Sequence, residues 1–333
     1  MAHLREQRKE DYCTKATTVD ADLDASCPLW KAFLLQIMDN DQAMVDYLQR
    51  MCGYCLTGLT DEHVLFFLHG TGANGKSTFA SVLLGILGTG PSGYAAVAPI
   101  STFLASQMEQ HPTDLAMLQG IRCVIAHETE QGRAWATSKI KMMTGGDLIS
   151  ARFMRKDFFT YSPQFKIIIL GNHKPVLHLV DDAMRRRLHL VPFLVTIPEE
   201  ERDQKLAEKL KAEYPQILGW MAQGCVEWQR IGLAPPQKVR DATSKYLTTE
   251  DNITNWIADC CSFDAGEYSP LRTLFASWKA WCEKNGERYP GPSKQLAKAL
   301  DGRPELKREE NRKGQAGWRG IRIRPDDEQS SLL

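Results

Sequence analysis

The sequence predicts an α/β fold, and three observations carry that expectation. Apolar strand candidates at residues 64–68, 121–126 and 165–170 alternate with helical or turn-rich segments, the pattern of a sheet flanked by helices. The glycine-rich stretch LHGTGANGKSTF, residues 68–79, links the first candidate to Phe79, Val82, Leu83 and Leu84 at helical spacing, so it reads strand, loop, helix. The 333 residues are 43% hydrophobic with a formal net charge of +0, enough chain for a sizeable core and two or three domains.

Taken in order, residues 1–28 are polar and without periodicity, which predicts a tail or linker. Residues 29–61 carry Trp30, Phe33, Leu34, Ile37, Met44, Tyr47 and Leu48 at helical intervals and predict a small helical subdomain. Residues 62–198 hold the strand candidates and form the expected α/β core. Charged helices and the paired prolines Pro235 and Pro236 make residues 199–245 a helical lid and linker, and residues 246–333 a further module. No apolar stretch approaches the roughly 18–20 residues of a membrane span, and the first 20 residues are too charged for a secretory signal. A cytoplasmic protein without a membrane partner is expected. Of the nine cysteines, Cys52 and Cys55 form a C-x-x-C inside a helix-like run, without the second Cys/His pair that a zinc site needs; they and Cys260 and Cys261 read as buried or idle thiols.

The loop is the most specific feature. Gly70, Gly75, Lys76 and Ser77 match G-x-x-x-x-G-K-[ST] in full, between a strand and a helix. Phosphate oxygens must approach backbone N–H groups closely, and side chains at Gly70, Gly72 or Gly75 would obstruct that approach. The pattern assigns a nucleotide to residues Gly70, Thr71, Gly72, Ala73, Asn74, Gly75, Lys76, Ser77 and Thr78. Lys76 meets the β- and γ-phosphates, Ser77 holds Mg²⁺, and the helix start adds its positive end. About fifty residues beyond Lys76, Glu128 and Glu130 follow the second strand candidate, where carboxylates of such ATPases hold Mg²⁺ and polarise the attacking water. The sequence leaves the division of roles between these two glutamates open.

Five motifs then fall in order: GTGANGKS, HETE, TGGDLISARFMRKDFF, LGNHKP and DDAMRRRLHLVPF. Together they resemble the superfamily 3 helicase domain at the C-terminal end of phage and plasmid primase-helicases, related to poxvirus, papillomavirus and parvovirus replicative helicases. The likeness covers about nine-tenths of the chain by inspection. It implies a P-loop, AAA+-like core, ATP and Mg²⁺ as cofactors, a homo-hexameric ring and single-stranded or forked DNA as partner. Asn172 resembles the polar sensor aimed at the γ-phosphate or lytic water, a role suited to an amide because it orients without titrating. Arg186 and Arg187 match an arginine pair of which one reaches a neighbouring subunit's nucleotide; which one is open, and Arg185 stands where the family more often has an aromatic residue. Residues 149–161, with Arg152, Arg155 and Lys156 among Phe153, Phe158 and Phe159, resemble the hairpin that tracks DNA phosphates in the channel.

The last module resembles a winged helix. Leu271, Leu274, Phe275, Trp278 and Trp281 mark one helix, residues 293–300 with Lys294 and Lys298 a recognition helix, and Lys307, Arg308, Arg312, Lys313, Arg319, Arg322 and Arg324 a basic wing. A winged helix that docks protein is the alternative. A full primase-helicase would carry a primer-synthesising domain upstream, which 28 residues cannot form, so a helicase half with a separate primase domain or partner is expected. The sequence as a whole predicts an ATP-driven ring helicase replicating a phage, plasmid or integrated element in a bacterial cytoplasm. Its alternatives are an ATP-switched initiator or loader and a packaging or assembly ATPase.

Overall fold

The computed structural model describes residues 5–106, 113–128, 133–175, 177, 181–249, 252–285, 290–303, 305–310 and 314–325. It divides into two compact units, Met1–Val176 with Asp181–Ser244, and Leu177–Val180 with Lys245–Leu333.

The first unit contains α1 (Pro28–Ile37), α2 (Gln42–Tyr54), β1 (Leu65–His69), α3 (Lys76–Leu87), β2 (Ala95–Val97), α4 (Thr113–Ala116), β3 (Cys123–His127), α5 (Thr137–Gly145), β4 (Ile149–Ala151), β5 (Phe159–Tyr161), β6 (Lys166–Gly171), α6 (Asp182–Arg185), β7 (Leu188–Pro192), α7 (Leu206–Lys211) and α8 (Tyr214–Ile231). Helix α9 (Gln237–Thr249) runs across the division. Five strands form one sheet in the order β2-β3-β6-β1-β7, parallel at every pairing. Such a sheet is covered on both faces, and its strands are accordingly near-continuous apolar runs: Leu65, Phe66, Ile167, Ile168 and Ile169 are fully buried. From β1 the chain crosses to the far edge at β2, works back through β3 to β6, then passes to β7 on the other side of β1. The carboxyl end of β1 is therefore the point where the connection order reverses, which is where open α/β sheets bind ligands.

Pro28 at the first turn and the Asp41 carboxylate accepting from Met44 N start α1 and α2. Their apolar faces share one core with the sheet. Trp30 stacks on Phe79 of α3 (5.6 Å, 16°) and meets Trp220 of α8 edge-on (5.8 Å); truncating Trp30 to Ala would cost about 3–5 kcal/mol. The segment before α1, expected as a tail or linker, is also packed. Ala16 N donates to Ser92 O (2.8 Å), Thr18 N to Ile86 O (2.9 Å) and Asp22 N to Pro215 O (2.9 Å). Side chains add to this, Thr18 Oγ1 donating to Gly85 O (2.6 Å) and Val19 and Ala21 packing on the core, but backbone bonds leave no periodicity to read in the sequence.

In the second unit, α10 (Asn252–Cys260), β8 (Cys261–Pro270), α11 (Leu271–Lys284), α12 (Ser293–Asp301), β9 (Lys307–Glu310) and β10 (Ala316–Ile323) follow in order. The strands form an antiparallel sheet, β8-β10-β9. Trp256, Trp278, Leu274, Leu296, Leu300, Trp318 and Ile321 make its core, and the buried indoles find partners, Trp256 Nε1 donating to Ser277 Oγ (3.1 Å) and Trp318 Nε1 to Asp301 Oδ1 (3.1 Å). Among the described residues no helix is long and apolar enough to cross a membrane.

Candidate active site

The glycine loop spans the gap between β1 and α3, and its glycines answer to different constraints. A Cβ at Gly70 would collide with Phe193 O and Asn74 Nδ2; at Gly75, whose φ is +80°, it would lie 2.6 Å from Ile37 Cγ2; Gly72 has open space around it but a φ of +110°. Crowding at Gly70 and Gly75 thus comes from the protein's own packing. Asn74 is buried, and its amide donates to Phe193 O (3.0 Å). No side chain caps the start of α3, which leaves its first-turn N–H groups without a side-chain acceptor. Lys76 is buried too, and its Nζ donates to Gly70 O (2.6 Å), Asn74 Oδ1 (3.1 Å) and Asn172 Oδ1 (3.2 Å). Burial lowers its pKa to about 8. Ser77, Thr71 and Ala73 are exposed, and Gly72 and Thr78 half-buried.

Two more strand ends carry candidate residues, and that of β6 meets this loop through Asn172. Glu128 follows β3, and its backbone N–H donates to Leu170 O of β6 (2.8 Å). A Cβ at Gly171 would collide with Glu128 Oε2 and the Phe67 ring, so the bare backbone of Gly171 makes room for the carboxylate. Both Glu128 oxygens are buried with no hydrogen-bond partner. Burial pushes this carboxyl up to about 7; the His173 backbone pulls weakly the other way without reaching hydrogen-bond geometry. Asn172 follows β6 directly and sits at the Lys76 ammonium. Glu130 lies outside the described residues. Sequence reasoning missed Gly171 and His69, and it counted Asn74 among the loop residues without giving its side chain a role. Asn74 occupies an unspecified position of the loop motif, and His69 closes β1, where burial first, then Lys174 and Lys76, push its imidazole down to about 4.

The two arginines separate. Arg187 is buried, its Nε donating to Thr144 Oγ1 (3.1 Å) and Nη1 to Ala183 O (2.9 Å), whereas Arg186 is exposed. In the β4–β5 hairpin, Ile149 pairs with Tyr161 and Ala151 with Phe159. Its tip exposes Arg155 and Lys156 together with Phe153, Met154 and Phe158, and the Arg152 guanidinium lies 4.6 Å over the Phe158 ring. In the second unit Lys294 and Lys298 are exposed four residues apart, on one face of α12. Much of the expected basic wing is ion-paired: Arg319 with Glu309 (2.9 Å), Lys307 with Glu309 (3.5 Å) and Arg308 with Asp301 (3.0 Å). Arg322 Nε donates to Ser262 Oγ (3.0 Å). Arg312 and Lys313 lie outside the described residues.

A family model described as "Family of unknown function (DUF5906)" matches residues 68–187, from the last residues of β1 to Arg187. The chain is 26% identical over 268 residues to the "Putative helicase L207/L206" of Acanthamoeba polyphaga mimivirus, across 74% of this chain and 27% of that protein. It is 22% identical over 292 residues to the "Putative helicase 022R" of Frog virus 3, across 81% and 30%, and 22% identical over 317 residues to the "Putative helicase 121R" of Invertebrate iridescent virus 3, across 84% and 33%. The chain thus spans 27–33% of the length of these relatives, and an expected bacterial host finds no support in them. Among solved structures it resembles the apo NrS-1 C-terminal region, with a TM-score of 0.55 at 10% identity, covering 92% of this chain and 78% of that one. Its A form gives 0.52 at 11% identity with the same coverage. These likenesses share a mixed α/β fold with a central parallel sheet.

The residues present fit a magnesium nucleotide. Among the described residues no three His, Cys, Asp or Glu side chains gather as a metal cluster, but Mg²⁺ is commonly held by one or two protein oxygens plus phosphates and water. Ser77, exposed at the head of α3, and the orphaned carboxylate of Glu128 are donors of that kind.

Proposed function

We propose that this chain is the ATP-hydrolysing part of a DNA helicase of the superfamily 3 type, with a P-loop, AAA+-like core working in a ring, homo-hexameric by resemblance. One observation carries the reading: Lys76 Nζ stands 3.2 Å from Asn172 Oδ1, at the carboxyl ends of neighbouring strands, while the Glu128 carboxylate has no hydrogen-bond partner. ATP would place its phosphates against the uncapped start of α3. Lys76 would exchange its contacts with Gly70 O, Asn74 and Asn172 for phosphate oxygens, and the charge of the phosphates would hold it protonated. Bound Mg²⁺ would neutralise charge developing on the transferred phosphoryl, held by Ser77 and Glu128. Glu128, or Glu130 beside it, orients and deprotonates the attacking water; Asn172, released from Lys76, aligns that water or the γ-phosphate.

Arg186 is our choice for the residue that reaches a neighbour's nucleotide, because Arg187 is engaged within its own unit. The hairpin cations Arg152, Arg155 and Lys156 would follow single-stranded DNA. The order helix, strand, two helices, two strands in the second unit supports a winged helix, with α12 as recognition helix. For that unit, ion pairing in the wing also favours the second reading, a winged helix that docks protein. The relatives' names support a helicase role in replication, beside a primase or primase-polymerase domain or partner. The test is ATP turnover and forked-DNA unwinding with and without single-stranded DNA. Wild type should turn over faster with DNA and unwind; Lys76→Ala should do neither while keeping its fold. A Lys76→Ala protein with wild-type turnover would refute the site.

A further inference from the structure

The loop and its cations account for phosphates only. A chain that binds nucleoside triphosphates in preference to inorganic ones needs a surface for the base, within a nucleotide's reach of the loop. The segment that follows β7 provides one. Phe193 N donates to His69 O (2.7 Å), Asn74 Nδ2 to Phe193 O (3.0 Å), and Ile197 N to Ala73 O (2.8 Å), so residues 193–197 are strapped along the glycine loop at both ends. Arg202 Nε braces the far end on Ile197 O (2.9 Å), and buried Phe193 anchors the near end against Phe79 (6.1 Å). Leu194, between these anchors, is 74% exposed. A single exposed leucine ordinarily signifies nothing. This one is a residue away, about 3.8 Å between Cα atoms, from the residue that holds Asn74 and crowds Gly70.

We infer that Leu194 supplies the apolar face on which the nucleobase rests when the loop holds the phosphates. The inference builds on the nucleotide reading and adds its second half, a subsite for the base. The occupant has the right chemistry: a base has flat, weakly hydrated faces and a polar rim, so one face can lie on a branched aliphatic side chain while the rim stays in water. A face contact does not read hydrogen-bonding edges, so this subsite discriminates nucleotide from bare phosphate without selecting adenine over guanine.

The experiment measures binding of ATP, GTP and inorganic tripolyphosphate, each with Mg²⁺, to the full chain. Leu194→Ala is exposed and uncharged, so it should fold as wild type does, which thermal unfolding checks. It should weaken ATP and GTP alike, by up to about tenfold, the scale of losing an aliphatic side chain from a buried contact. Tripolyphosphate should stay within about twofold, and Leu194→Met should restore most nucleotide affinity. Lys76→Ala should weaken all three. Unchanged ATP affinity in Leu194→Ala, or an equal loss for ATP and tripolyphosphate, overturns the base subsite while leaving the phosphate site standing. Wild type binding neither ATP nor tripolyphosphate removes the nucleotide reading and this inference with it.

Discussion

Glu128 shows how surroundings alone shift the titration of a single carboxyl. Its carboxyl is pushed up to about 7 by burial, with neither oxygen hydrogen-bonded. The native state therefore keeps a proton that the unfolded chain releases from pH 4.5 upwards, so this group's contribution makes stability fall as pH rises from about 4.5 to about 7. Glu128→Gln should abolish that fall, visible as a flatter pH profile of the urea midpoint, and should cut ATP turnover by about 10²-fold or more while ATP still binds. Normal turnover in this variant would move the role to Glu130. Arginine is the second case. Arg187→Ala should destabilise the fold by about 1–3 kcal/mol through its lost internal bonds, whereas Arg186→Ala should fold normally yet hydrolyse poorly. Mixed with Lys76→Ala, the Arg186→Ala protein should regain turnover, because a mixed ring joins an intact arginine to an intact loop; no recovery in rings shown to be mixed would rule out a finger acting between subunits. Sequence motifs singled out Lys76, Glu128 and Asn172 because the roles proposed for them fix residue type and spacing. They could not separate Arg186 from Arg187, since burial of one against Thr144 depends on how α5 and α6 pack.

Elements were legible in proportion to how far burial dictated their composition. β1, β3 and β6 lie inside the sheet and read as apolar runs, each within two residues of its expected start. The outer strands were obscure. β2 is three residues long, and β7 contains His189, whose Nδ1 lies 2.7 Å from Tyr47 OH and whose burial lowers its pKa to about 4, so a polar letter occupies a half-buried place in the strand. The helices α1 and α2 were visible as helices, but nothing in their periodicity says that Phe33 and Ile37 lie behind Gly75. For the β4–β5 hairpin the sequence supplied the residue types, and only the fold puts Arg155 and Lys156 at an exposed tip with Phe153 and Phe158. Charge reversal at Lys156 should leave basal ATP turnover intact and sharply reduce fork unwinding, because this side chain is exposed at the hairpin tip and its proposed contact is DNA. Equal loss of both activities would instead make the hairpin part of the hydrolytic site.

At the scale of the whole molecule, zero net charge conceals how cations are distributed, and the second unit is where that matters. The sequence counts seven basic residues in the wing region, yet Glu309 and Asp301 pair with three of them. An ion-paired arginine must give up its carboxylate before it neutralises a phosphate, so Arg319 should contribute less to DNA affinity than a lysine standing in water. Lys294 and Lys298 on α12 are exposed cations on one helical face. If this unit binds duplex DNA, the double charge reversal of Lys294 and Lys298 should reduce duplex affinity and flatten its dependence on log salt by about two units of slope, while Arg319→Glu with Arg322→Glu changes the slope by less. Unwinding of a preloaded fork should survive both, since recruitment and translocation are assigned to different units. Duplex affinity measured from about 50 to 200 mM salt, beside unwinding of preloaded forks, separates the possibilities. A salt slope untouched by the lysine reversals would mean that α12 does not meet phosphate, and the unit would then be read as a protein-docking winged helix; loss of fork unwinding in the lysine variant alone would mean that this unit takes part in the stroke itself.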